Sequence, residues 1–134
     1  LRLYSEFENF RRRTAKEKID FMQTANESLI KELLSIVDDY ERAEATFDKK
    51  ERKDDPVLEG FEIIMNKFKK LLEKQGLKPM DDSKGKVFDT EIHEAVTQYP
   101  APSDDMKGKV IDQLEKGYFL HEKVIRYAKV VVGA

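Results

Sequence analysis

Residues Ile19 to Phe47 read IDFMQTANESLIKELLSIVDDYERAEATF, and the apolar side chains in this stretch recur with a fixed rhythm. Ile19, Met22, Leu29, Leu33, Ile36, Tyr40, Ala43 and Phe47 follow one another in alternating steps of three and four, with Asn26 in the single polar slot. This is the a/d seam of a heptad repeat held for about four heptads, and it puts one apolar stripe along one side of an α-helix. No Pro or Gly interrupts the chain from Leu3 to Arg52, and Leu, Glu, Lys, Arg and Ala are abundant. One continuous helix is expected over that range. Tyr4 and Phe7 lie one residue out of phase with the seam, so a regular left-handed supercoil should be lost near Arg11 to Lys18.

Length then constrains assembly. A helix of about 50 residues at ~1.5 Å per residue is a rod of roughly 75 Å. A compact domain of this chain's size has a radius of gyration near ~14 Å. The rest of the chain cannot cover such a rod, so the seam needs a second chain, most simply a second copy. A second helix should start after Asp55, a good N-cap, with Pro56 in the first helical position. It should run to about Gln75, with Gly76 as its stop and Pro79 beyond. Its apolar residues Leu58, Phe61, Ile64, Met65, Phe68, Leu71 and Leu72 form a broad face. Two such helices from each of two chains make a four-helix bundle. Gly60 costs about 1 kcal/mol relative to Ala inside that helix, which a helix crossing or close backbone approach would explain.

Past Gly76, Gly, Pro and Asp punctuate short runs rich in β-branched residues: VFDTEI, EAVTQY, GKVIDQL, YFLHEKVIR and AKVVVG, with PAPSDDMKG as a loop. These read as strands of a small β domain. The expected fold class is therefore α+β: a long paired, coiled-coil-like helix and a dimeric four-helix bundle, followed by a small all-β domain. The expected parts are 1–53 for the dimerising helix, 54–76 for the second bundle helix and 77–134 for the β domain.

The 134 residues carry 25 basic and 27 acidic side chains and no cysteine. Thiolate metal sites and disulfides are excluded, and a near-neutral chain is a poor general polyanion binder. No apolar run approaches the roughly 20 residues that span a bilayer. His93 and His121 have no ligand spacing around them, so no metal and no cofactor are expected. No P-loop, nucleophile elbow or dinucleotide fingerprint occurs, and no serine stands beside a base, so no catalytic residue is expected. Most carboxylates read as solvated helix charges, with Asp38 and Asp39 on diverging faces. The chain begins at Leu1 inside what already reads as helix, and is expected to be part of a longer protein.

Arg11, Arg12 and Arg13 fan around the rod about 100° apart. Glu8 and Glu17, four residues from Arg12 and Arg13, should form weak pairs with them. From the residues alone the cluster is a solvated face, a protein contact or a nucleic-acid contact. The charges of Glu17, Asp20 and Glu27 weigh against nucleic acid.

Several stretches together resemble the GrpE nucleotide exchange factors of DnaK-type heat-shock chaperones. At the front, EFENFRRRT (6–14) is similar to that family's arginine-bearing segment, ELLSIVDDYERA (32–43) to its bundle entry, and EGFEII (59–64), including Gly60, to its next helix. Toward the end, Phe88-Asp89, His93, Ala95-Val96, Gly117-Tyr118, Glu122, Ile125-Arg126, Ala128, Val130 and Val132 fall at its signature spacings. Thr90 departs from the family, where Pro is usual, and Asp20 stands where some members carry a basic contact that Lys16 or Lys18 could replace.

The resemblance implies a homodimer with a β-wing on each protomer, in which one protomer grips the chaperone's ATPase domain, ADP-bound or nucleotide-free, and pushes the cleft open. It implies partner contacts at Arg11 and Arg12 on the helix and at Phe88, Leu114 and Val132 on the wing, where the alternative for the last three is β-domain core. Gly60 and Gly117 are implied as structural positions. The implied compartment is the bacterial cytoplasm rather than the mitochondrial matrix, with no nucleic acid and no membrane among the partners. The competing expectation is a coiled-coil scaffold or adaptor without effect on nucleotide.

Overall fold

In the computed structural model, residues 1–47 and 54–134 are described. The long N-terminal helix is bent into two pieces, α1 (Arg2–Thr24) and α2 (Glu27–Thr46), which corrects the expectation of one unbroken helix. The Ala25 N–H still donates to the Phe21 carbonyl, but Asn26, at φ −91° and ψ −2°, opens a new helix in which its own carbonyl accepts from Ile30 N at 2.9 Å. Two local competitors sit at this point. The Thr24 hydroxyl donates back to the Asp20 carbonyl at 2.9 Å, and Asn is a residue that favours helix starts over interiors. The one polar slot of the seam is where the rod bends. At the other end α2 stops at Thr46, and Phe47 follows in extended backbone, so the helix does not carry Phe47. The expected continuation to Arg52 and the boundary after residue 53 lie outside the described residues.

Helix α3 (Pro56–Lys74) starts where its cap places it: Asp55 Oδ1 accepts from Val57 N at 3.0 Å and from Leu58 N at 3.5 Å. It ends before Gly76, which turns the chain at φ +99°. A side chain at Gly76 would also run into the ring of His121, so only glycine fits. At Gly60 a Cβ would meet nothing within 4 Å, and no close approach within the described residues explains this glycine.

The β region forms two three-stranded sheets. One has the order β1 (Leu77–Pro79), β4 (Tyr118–Leu120), β5 (Lys123–Arg126), antiparallel throughout. The other has β6 (Ala128–Gly133) at its centre, parallel to β2 (His93–Tyr99) and antiparallel to β3 (Val110–Glu115). Two expected strands change. VFDTEI holds a single bridge, Val87 to Lys109, and then a turn in which Asp89 Oδ1 accepts from Glu91 N at 2.9 Å. YFLHEKVIR splits into β4 and β5 around His121 and Glu122, both left-handed at φ 48° and 68°, the twist a two-residue hairpin needs. Strand β1 was not expected. Its pairing with β4 ties the end of α3 directly into a sheet.

Two apolar clusters hold these parts. The first joins Ile30, Leu34 and Val37 of α2 and Leu72 of α3 to Leu77, Tyr118, Leu120 and Ile125. The second joins Met80, Val110, Ala128, Val130 and Val132, with Phe88 and Ile92 packed against it. Gly117 lies against the second cluster, where a Cβ would run into Met80 Sδ and come within 2.7 Å of Ala128 N. Helix α2 thus carries a second apolar stripe one residue on from the seam, and that stripe docks on the chain's own sheet.

Beside the first cluster, Arg126 is gripped on several sides. Nη1 reaches Asp38 Oδ2 at 2.6 Å, Nη2 reaches Asp38 Oδ1 at 2.8 Å, and the Lys116 carbonyl accepts from Nε and Nη2 at 2.9 and 2.7 Å. Glu115 Oε1 lies 3.0 Å from Nη1, and the guanidinium carbon sits 5.1 Å from the Tyr118 ring centre. The Asp38 and Arg126 side chains are only 19% and 12% exposed, so Asp38 is no solvated helix charge. Removing Arg126 strands the Asp38 carboxylate with little water to replace it, and removing Asp38 leaves the shielded guanidinium only Glu115 and the Lys116 carbonyl. Asp38→Ala and Arg126→Ala should each lower stability by about 3 kcal/mol in urea unfolding, and the double variant by clearly less than their sum. Additive losses would show that the two groups do not act as a pair.

Candidate functional site

Arg11, Arg12 and Arg13 on α1 are all exposed, and no residue of that helix is buried. Arg11 takes the Glu8 carboxylate, at 3.8 Å and three residues away, and lies 6.0 Å from the centre of the Phe7 ring. Arg13 pairs with Glu17 at 3.9 Å and lies 5.8 Å from the Phe10 ring. The expected Glu8–Arg12 pair is therefore replaced by Glu8–Arg11, and Arg12 has no hydrogen-bonding or ionic partner among the described residues. Pairs this exposed contribute little to stability. What they do is orient two guanidinium groups along one aromatic-bearing segment, with Arg12 between them and its donors open to a carboxylate.

The seam splits into two classes. Ile19, Met22, Leu29 and Ile36 are each more than half exposed, and Asn26 and Ala43 are exposed too. Leu33 and Tyr40 are half-buried by this chain: Leu33 packs against the first cluster, and Lys69 Nζ lies 5.7 Å from the Tyr40 ring centre. On α3, Phe61, Ile64 and Leu71 are likewise more than half exposed. The chain leaves open the faces that a bundle with a second chain would cover, and a row of large apolar side chains of this extent marks an interaction surface.

In the β region the three expected contact residues part ways. Leu114, at the end of β3, is 58% exposed. Phe88 is half-buried, its ring stacked on His93 with centroids 5.9 Å apart. Val132 is 7% exposed and belongs to the second cluster, so its expected contact is corrected to a core position. On β6 it faces the same side as Val130 and Ala128, and the alternation of the strand turns all three inward.

His93 anchors the Phe88 corner. The residue is 4% exposed, and Nδ1 accepts from Asp89 N at 3.0 Å, which leaves the hydrogen on Nε2. Nε2 is buried and finds no partner among the described residues. Burial pushes the His93 pKa below its ordinary value; Asp89 opposes this and Lys86 adds to it. Elsewhere, no three His, Cys, Asp or Glu side chains converge as a metal site among the described residues. No helix among them is long and apolar enough to cross a membrane.

Residue patterns alone did not single out Asp38 as a partner of Arg126, nor Ile30, Leu34 and Val37 as a docking face. A signal existed in the apolar doublets Leu29-Ile30, Leu33-Leu34 and Ile36-Val37. Neighbours in a helix point about 100° apart, so each doublet serves two surfaces.

A family model described as GrpE matches residues 1–134. A protein named Protein GrpE from Parabacteroides distasonis is 50% identical over 133 residues, covering 99% of this chain and 68% of its own. Its namesake from Bacteroides thetaiotaomicron is 45% identical over 134 residues, with 99% and 68% covered. One from Methanosphaera stadtmanae is 42% identical over 131 residues, with 98% and 72% covered.

A lowered histidine pKa makes stability depend on pH. The folded state favours neutral His93, so its contribution is complete above the unfolded value of about 6.5 and is lost as pH falls below it. His93→Asn keeps an acceptor for the Asp89 N–H and removes the titration. Between about pH 7.5 and about pH 5, on either side of that ordinary value, the wild type should lose stability relative to this variant in denaturant unfolding. A stability difference independent of pH would contradict the assignment.

Proposed function

The chain belongs to the GrpE family, and from that premise we propose that it is a co-chaperone that accelerates ADP release from the ATPase domain of a DnaK-type chaperone. The observation that carries the reading is the family match along the whole chain, at up to 50% identity to the relatives described. We propose further that two copies pair through the exposed seam residues Ile19, Met22, Leu29 and Ile36. Helices α2 and α3 of both copies then form a four-helix bundle. The working parts are residues 1–53 for dimerisation and grip, 54–76 for the bundle and 77–134 for the wing. The compartment proposed is the bacterial cytoplasm.

Exchange of this kind needs no catalytic side chain. It requires that the factor bind the open, nucleotide-free ATPase domain more tightly than the closed one. By linkage, ADP then weakens factor binding as much as the factor weakens ADP binding. A thousandfold effect needs about 4 kcal/mol of differential contact, which a few well-placed anchors supply. The proposed anchors are Arg11 and Arg12, exposed on α1 with forks suited to carboxylates, together with Leu114 and Phe88 on the wing. Arg13, paired to Glu17, is a solvated neighbour.

The direct test follows release of a fluorescent ADP analogue from a DnaK-type ATPase domain. Micromolar factor should speed it, and charge reversal by Arg11→Glu or Arg12→Glu should weaken partner binding by about tenfold or more while leaving the dimer intact. Binding without any change in the release rate would make the chain a scaffold or adaptor instead. Dissolution of the dimer by either reversal would misplace the arginines.

A further inference from the structure

The exposed wing residue Leu114 sits at the end of β3, and the next two residues are the ones Arg126 holds. Glu115 Oε1 lies 3.0 Å from Arg126 Nη1, and the Lys116 carbonyl accepts from Nε and Nη2. The same guanidinium forks onto both oxygens of Asp38 on α2. One side chain therefore joins the tip that bears Leu114 to the helix that continues the arginine-bearing rod.

Other ties cross the same junction but are weaker in kind. Lys116 Nζ reaches Glu41 at 3.3 Å and Lys123 Nζ reaches Glu27 at 3.1 Å, with their lysines 35% and 61% exposed. Water competes for both, whereas the Asp38–Arg126 pair is largely shielded. Beside the pair an open groove lined by Arg42, Gln113, Leu114 and Lys129 separates α2 from β3. Once the tie is cut, that space lets the wing tilt against the helix. The apolar first cluster, whose Tyr118 ring lies against the guanidinium, would act as the pivot.

We propose that Asp38 and Arg126 are positioning residues that hold the wing at a fixed angle to α2, so that gripping the partner through the helix forces its cleft open. The inference rests on the exchange reading above and adds the part that transmits the force. A stiff junction makes the closed, ADP-bound ATPase domain a poor fit, because both contact points cannot be met at once. A slack junction lets the wing follow the closed form, so the factor binds with ADP still in place. The quantity at stake is the ratio of the factor's two affinities, without and with ADP.

That ratio separates positioning from mere folding. A variant that is partly unfolded loses the same fraction of binding to both forms, and its ratio is unchanged. Asp38→Asn is the first choice because it leaves the contacts of Arg126 with Glu115 and Lys116 in place. Arg126→Lys is the second, keeping the charge but losing the fork. For each, and for the wild type, the Kd for a purified DnaK-type ATPase domain is measured with saturating ADP and with none. A charge-assisted hydrogen bond of this kind predicts that the ratio falls by about tenfold in both variants, chiefly because the ADP-bound form is held more tightly than before. A wild-type ratio in either variant would overturn the positioning role, even where both affinities drop. A wild-type ratio near unity would overturn the exchange reading itself, and this inference with it.

Discussion

The fork of Arg126 on Asp38 fixes how a helix and a pair of small sheets become one body. Neither part is self-sufficient. Helix α2 carries an apolar stripe that needs cover, and the sheet of β1, β4 and β5 has one apolar face that needs it too. Ile30, Leu34 and Val37 supply that cover, but apolar contacts by themselves allow sliding along the helix. The bidentate pair removes the freedom, because a planar guanidinium donates both bonds to a carboxylate in one orientation. The Lys116 carbonyl and the Tyr118 ring hold the guanidinium from the other side. Register between α2 and the β region is thus set by directional bonds, and the apolar cluster provides the energy.

With α2 committed to its own sheet on one stripe, its neighbouring stripe is left for something else. Leu29 and Ile36 stand open beside buried Ile30 and Val37, and α3 is arranged the same way, with Leu72 buried beside exposed Leu71. A second copy is the partner that fits a heptad seam, since an isologous contact presents the same stripe twice. The polar slot Asn26 then has a local meaning as well. It marks the bend between a docked helix and an undocked one, and the arginines lie wholly on the undocked side.

How far the sequence could be read differs by element. The cap at Asp55-Pro56 and the stop at Gly76 were legible because each depends on one or two residues and their immediate neighbours. The bend at Ala25–Asn26 was missed because helix propensity favours continuation, and only the sum of a polar seam position and the Thr24 back-bond ends it. VFDTEI has strand composition, yet the Asp89 side chain captures a nearby N–H and makes a turn. Arg126 and Asp38 are 88 residues apart, a separation no local pattern spans. Val132 was matched by position in a resemblance, but its face on β6 depends on register, which here turns it inward. Arg11 and Arg12 were legible as exposed candidates, since long charged side chains on a rod have few ways to be covered, whereas Leu114 came only with the resemblance and with β-domain core as its alternative.

Two chains that share the exposed seam, and a pair that prefers a partner empty of nucleotide, are the two parts of the proposed function. The mass of the complex in solution addresses both parts at once, by sedimentation or light scattering of the chain with a DnaK-type ATPase domain, with and without ADP. The expected result is a free factor of twice the 15.7 kDa chain, a complex of two chains with one ATPase domain, and its dissolution by ADP. A single chain at micromolar concentration, or a complex indifferent to ADP, would contradict it.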